Sequence, residues 1–470
     1  MKRRIGTYTG DKVLKIQKLT AVACILFFAG VSASNAQERS SFPTIYREAP
    51  LIGRMIDCNF PQGDSNYHAI VHASDGFVYY AICTHNRDRH VNLFRYDPKT
   101  GRAETVADIG KILGEDGTKN IPQGKIHGDL FEYTGKLWFG THVGFYERGG
   151  TKDHGPYPGG HFMSFDLKSG AFADLGIGEP EEGLVTVAMD SGRGRLYALT
   201  WPSAIFLYYD IGTGRKKSFG PAVVGHSYVN TVETGGVPRS LAVDPRDGNV
   251  YWNNMDETLS RYNFSKDTVE LVPNYKFDRP IFKVRERGNP DDTAFWRSIR
   301  WSRAIGRFVG QTFYGEHLFS WDPQTGVIEV MDRIAIAPIR KSGEIMRASL
   351  AFELSPDGRT VYYVNGASPG FEGNKGAEPD PLHLVTYDLI DHRYTDHSAI
   401  RLEDNRAPDY CQGLEIGRDG NLYLVCNIPF TDLESEKGKR IRELRYAATP
   451  AENLKKVYEV NLVVIKDPLR

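Results

Sequence analysis

One pattern recurs along this chain and limits its fold more than any other feature. An alternating apolar strand runs into an Asp-Gly or Gly turn, and a second strand rich in Val, Tyr, Leu and Trp runs back. It is legible as NYHAIVHASDGFVYYAIC from Asn66, GKIHGDLFEYTGKLWFGTH from Gly124, GLVTVAMDSGRGRLYALTW from Gly183 and VPRSLAVDPRDGNVYWNN from Val237. It returns as FWRSIRWSRAIGRFVGQTF from Phe295, ASLAFELSPDGRTVYYVNG from Ala348 and CQGLEIGRDGNLYLVCN from Cys411. Period-two alternation on both sides of a tight turn marks a β-hairpin.

Between hairpins comes a second signature, an aromatic residue, then Asp, then a turn. FRYDPKTG (Phe94–Gly101), MSFDLKSG (Met163–Gly170), LYYDIGTG (Leu207–Gly214), FSWDPQTG (Phe319–Gly326) and VTYDLIDH (Val385–His392) carry it. These read as third strands turning into fourth strands. A four-stranded unit repeated seven times is expected to be all-β, a seven-bladed β-propeller with four-stranded blades. A sandwich or barrel does not repeat so regularly. The ring is expected to close by pairing the segment before the first hairpin with a last strand near Val457–Ile465.

Hairpin register turns the repeat into geometry. In such a ring the innermost strand of each blade lines the channel, and the start of the first strand and the end of the second share one mouth. Counting back from the turns puts His68, His127, Arg239, Arg297 and Gln412 on the inner ring, with Arg347 close to the equivalent place. The second-strand ends contribute Cys83, His142, Trp201, Met255, Phe313 and Asn427. Buried cations are costly unless paired or used, so polar residues converging at equivalent positions point to a site.

The chain has 470 residues, 40% hydrophobic and 25% charged, with a formal net charge of −1. That composition supports a large core and argues against nucleic-acid or membrane-surface partners. Lys12, Lys15 and Lys18 precede an apolar run from Leu19 to Val31, followed by small residues to Ala36. This order reads as a signal peptide over residues 1–36, leaving 37–470 as a single propeller domain, secreted or periplasmic and free of the membrane after cleavage.

The predicted mouth has imidazoles and guanidiniums, and the loop before Arg239 adds His226 and Tyr228. Arginine forks grip carboxylates or sulfates. Paired carboxylates for glycoside hydrolysis, and a strained serine turn for acyl transfer, are not visible. A cationic cleft with His and Tyr suits β-elimination from a uronate-containing acidic polysaccharide. Cations neutralise the carboxylate beside the acidic proton, and Tyr or His moves the proton. A non-catalytic propeller that binds an acidic glycan or a protein partner is the alternative. A metal-dependent lactonase-like hydrolase needs a carboxylate-bearing metal site, which the rings do not offer.

The segment QGKIHGDLFEYTGKLWFGTH (Gln123–His142), followed by GGHFMSFDLKSG (Gly159–Gly170), resembles the seven-bladed propeller polysaccharide lyases typified by ulvan lyases. The resemblance implies a catalytic group of His127, His142, Tyr228 and Arg239, with Tyr228 or a histidine as base and acid and Arg239 neutralising the carboxylate. His68, Arg297, Arg347 and Gln412 are then expected to bind substrate. The turn between the two histidines is shorter than in ulvan-active members, which leaves the uronate open. No catalytic cofactor is expected. Some members carry a structural zinc, and Cys83, Cys411 and Cys426, from neighbouring blades, are expected to hold a zinc or form a disulfide at the ring closure.

Overall fold

The computed structural model describes residues 43–229, 232–234, 236–276, 280–283, 296–366, 381–447, 449–450, 454 and 456–470. The expected signal peptide lies outside these residues. The described residues form an all-β fold of successive four-stranded antiparallel sheets, the architecture of a β-propeller. The first sheet runs Ile70–His72, Val78–Ile82, Asn92–Asp97 and Arg102–Asp108, each strand paired with the next. The same meander recurs, for example as Gly183–Asp190, Arg195–Trp201, Ile205–Asp210 and Arg215–Pro221, and as Trp296–Ser302, Arg307–Thr312, His317–Asp322 and Val327–Arg333.

The aromatic-Asp signature works as expected. Each Asp ends the third strand and its carboxylate accepts backbone N–H groups of the following turn. Asp97 takes Lys99 N–H at 2.9 Å, Asp166 takes Ser169 N–H at 2.9 Å, and Asp210 takes Thr213 N–H at 3.0 Å. Such Asx turns satisfy donors that a sheet edge leaves free.

Apolar residues lie between consecutive sheets. Tyr79 and Leu93 of the first sheet meet Leu137, Phe139 and Met163 of the second. Ile70 and Tyr80 of the first sheet also meet Tyr423, Val425 and Leu462 of the last, so the stack returns on itself. The strand Leu51–Ile56 completes the last sheet by antiparallel pairing with Val457–Lys466, Gly53 opposite Ile465 and Ile56 opposite Leu462. This is the closure expected from the sequence. One feature was not expected: the same strand pairs in parallel with Arg393–Leu402, fusing two sheets. Gly53 permits the fit, since a Cβ there would lie 2.7 Å from Val463 Cγ1.

The hairpin count misplaces one inner-ring residue, His68. The first strand of the first sheet begins at Ile70 rather than His68, and His68 has φ 69°. That left-handed residue breaks the alternation on which the count relied. Among the described residues no helix is long and apolar enough to cross a membrane.

Candidate functional site

His127 and His142 come from one sheet, as expected. Lys125–Ile126 pairs with the end of Lys136–His142, Lys125 opposite His142, and His127 follows directly. The two imidazoles meet edge to face with centroids 5.2 Å apart. Gly183 holds the second ring in place, because a Cβ there would sit 2.1 Å from His142 Nδ1. On its other side His127 stacks on Tyr67 at 4.2 Å, and His142 meets Trp201 at 6.0 Å.

These side chains line a cavity of about 550 Å3 with Lys125, Arg239, Arg297, Arg347, Tyr410, Gln412 and Asn427. Arg297 donates to Gln412 Oε1 at 2.8 Å, while its Nε, also buried, has no hydrogen-bond partner among the described residues. The guanidiniums of Arg297 and Arg347 lie 5.0 and 4.8 Å from the ring centre of Phe313. One aromatic ring thus contacts two like charges.

The electrostatics follow first from burial and then from the neighbouring cations. Burial pushes Lys125 down to about 8, and Arg239 adds to the push against the opposing pull of Cys83 and Asp64. Burial also takes Arg297 down to about 9, with Arg347 the next cause. Both imidazoles fall well below their usual range, first by burial. The other histidine and Arg239 act further on His127, and Lys125 and Arg239 on His142. Both are therefore neutral near pH 7, and the charge of the cavity comes from Lys and Arg. Such a site is relieved by an anion.

Three expectations are corrected. His68 does not line this cavity. It lies at a constriction of about 30 Å3 below it, with Nδ1 2.7 Å from Asp129 Oδ1, because its left-handed backbone turns the side chain inward. Tyr67, its neighbour, lines the mouth instead. The cavity also has a carboxylate where none was expected: Asp64, bound to His85 Nδ1 at 2.9 Å. The three cysteines do not gather. Cys411 and Cys426 face each other across two strands, but Cys83 packs in a different apolar cluster with its thiol against Ile126 O at 3.6 Å. All of these thiols are free, and among the described residues no group of three His, Cys, Asp or Glu is placed to hold a metal.

Tyr228 lies in a short strand, Ser227–Val229, but its side chain is outside the described residues. His226 is engaged elsewhere, its Nε2 2.7 Å from Pro202 O. Sequence reasoning missed Asp64, Tyr67, His85, Lys125, Tyr146 and Tyr410. Lys125 had a signal, since it stands two residues before His127 on the same face of the chain. The others lie at strand ends or in loops, where period-two counting does not reach.

No protein-family model matches this chain, and no curated protein does. Solved structures resemble this chain only distantly. A chain from the mitotic checkpoint complex is 13% identical with a TM-score of 0.46, over 80% of this chain and 94% of that one. A chain from a nidogen/laminin complex is 9% identical with a TM-score of 0.38, over 69% and 100%. A structural genomics protein of unknown function from Bacteroides thetaiotaomicron is 10% identical with a TM-score of 0.38, over 80% and 82%. The fold described above stands on the sheets themselves.

Proposed function

We propose that this chain is a secreted seven-bladed propeller acting as a polysaccharide lyase on a uronate-containing acidic glycan. The observation that carries the reading is the cavity: four basic residues around two neutral imidazoles, with one carboxylate already bound to a histidine. The blade number is supported by apolar clusters that join each sheet to the next and the last to the first.

The chemistry follows from the arrangement. A uronate carboxylate entering the cleft is drawn to the guanidiniums of Arg239, Arg297 and Arg347. Neutralised there, its α-proton at C5 becomes more acidic, because the enolate that forms on proton loss is held by the same cations. A neutral group takes the C5 proton, the C4–C5 double bond forms, the C4–O4 bond breaks, and O4 receives a proton. Imidazoles kept uncharged among cations are available for such transfer at neutral pH. Incubation with ulvan, glucuronan, pectate and heparan-type glycans, followed by ultraviolet absorbance of the unsaturated product, tests the reading. Turnover that is lost in His142→Ala and Arg239→Ala supports it, and full activity in both variants contradicts the site.

A second reading rests on the same charge. Two imidazoles already displaced far from the titration range are weak bases, and the cations alone suffice to hold a polyanion. In that reading the cleft binds an acidic glycan without cleaving it. Binding without an unsaturated product on any member of the panel selects it.

A further inference from the structure

Asp64, Tyr67 and His85 all line the cavity, and they are joined in a chain. The Asp64 carboxylate accepts His85 N–H at 2.8 Å on one oxygen and meets His85 Nδ1 at 2.9 Å on the other. It also accepts the Ser65 hydroxyl at 2.7 Å. Burial opposes its ionisation, yet the hydrogen bond from His85, with Arg445 nearby, holds its carboxyl below the usual range. An ionised carboxylate at Nδ1 fixes the proton there, so His85 presents the lone pair of Nε2. That nitrogen faces the Tyr67 hydroxyl at 3.4 Å.

We propose that Asp64, His85 and Tyr67 form a proton relay, with Tyr67 as the group that moves the substrate proton. The inference rests on the lyase reading and assigns its proton-transfer residue. The phenol stacks on His127, with the Lys125 ammonium 5.2 Å from its ring centre, so it lines the cationic cleft at the edge of the apolar core. The resting phenol keeps its proton, since burial and the nearby Asp64 charge raise it well above its usual range. It ionises only when His85 takes that proton, and Asp64 stabilises the imidazolium so formed. The phenolate then removes the C5 proton, the electron pair forms the C4–C5 double bond, and the C4–O4 bond breaks. Tyr67 passes the C5 proton to O4, and His85 returns the original proton to the phenolate. Protons balance, and no oxidant or metal takes part. With 47% of its side chain exposed, His85 also connects the relay to solvent.

Two measurements decide the matter. Nitrogen NMR of the wild-type protein reads the His85 tautomer without any need for activity. The relay predicts a proton on Nδ1 and an accepting Nε2, with that preference lost in Asp64→Asn; a proton on Nε2 in the wild type overturns it. Kinetics on the glycan that the protein cleaves give the second readout. Tyr67→Phe is expected to lower kcat by about 10²–10⁴-fold with oligosaccharide binding retained. Asp64→Asn is expected to shift the limb of the kcat–pH profile governed by the relay, in a setting where Tyr67 also faces Lys125, His127, Tyr410 and Cys83. Wild-type kcat in Tyr67→Phe overturns the proposal and leaves the lyase reading standing. A wild-type protein with no turnover on any glycan removes the lyase reading, and the tautomer still decides the relay.

Discussion

The two ends of the central channel differ in their charges: one gathers charges of a single sign, the other pairs charges of both signs. At one end Lys125, Arg239, Arg297 and Arg347 surround a cavity of about 550 Å3. Past the constriction, a second cavity of about 320 Å3 is lined by His68, Asp129, Arg300, Glu353 and Glu415. There the charges satisfy one another. Arg300 reaches Asp129 at 2.9 Å and Glu353 at 3.3 Å, and His68 adds its contact to Asp129. The result is a network of alternating sign in which, against the cost of burial, Asp129 is lowered and Arg300 raised by their partners toward the charged form. At the cationic end burial, with a neighbouring arginine adding to it, pulls Lys125 and Arg297 down toward neutrality. A paired network holds structure together, whereas a cluster of like charges attracts an anion from solution.

The largest expected difference is in stability. Arg300→Met leaves Asp129 and Glu353 without their shared cation and is expected to cost about 3 kcal/mol. The same change at Arg297 is expected to cost about 1 kcal/mol or less, because burial and Arg347 already oppose its charge. Urea denaturation of the two variants checks the contrast, and equal losses would erase it. Binding should reverse the order. Arg297→Gln is expected to weaken an acidic oligosaccharide about 10–100-fold, the worth of a charged hydrogen bond, while Glu353→Gln leaves affinity nearly unchanged. Calorimetric titration of both proteins separates the ends.

Smaller effects come from pH. Polyanion binding needs the Lys125 ammonium, so affinity is expected to fall as pH rises through about 8, and less steeply in Lys125→Gln. Titrations across that range read the slope. Glu415 behaves oppositely: burial, then the Glu353 charge, raises it to about 8. Between its ordinary value and about 8 the folded protein keeps a proton that the unfolded chain has lost. Its contribution to stability therefore declines as pH rises through that window. Glu415→Gln is expected to raise the melting temperature at about pH 9 and to change it little at about pH 5, with thermal scans at both values as the check.

Much of the ring was readable because a repeat averages over local error. Each hairpin announced itself through alternation and turn chemistry, and the closure between Leu51–Ile56 and Val457–Lys466 followed from the need to complete the last sheet. The site was readable where a hairpin fixes which end of a strand meets the mouth. His127, His142, Arg297 and Gln412 all fall on the cavity, although the hairpin register shifts at Arg297 and at Gln412, because each stays at the same end of its strand. His68 was misplaced because one left-handed residue exchanges the roles of two neighbours, and nothing in Tyr67-His68-Ala69 signals it. Asp64 and His85 escaped because their partnership spans a loop and a strand end, and the parallel pairing at Leu51 escaped because it joins segments from different repeats.

The most direct test of a cationic, ligand-seeking end is a paired titration on the His142→Ala protein. One ligand is a uronate oligosaccharide, and the other is the same oligosaccharide with its carboxylates reduced to alcohols. The charge account predicts binding of the first at one site, weakened by added salt and by Arg297→Gln, and no binding of the second. Equal affinity for both ligands, or binding of the acidic one that survives Arg297→Gln but is lost in Glu353→Gln, would contradict it.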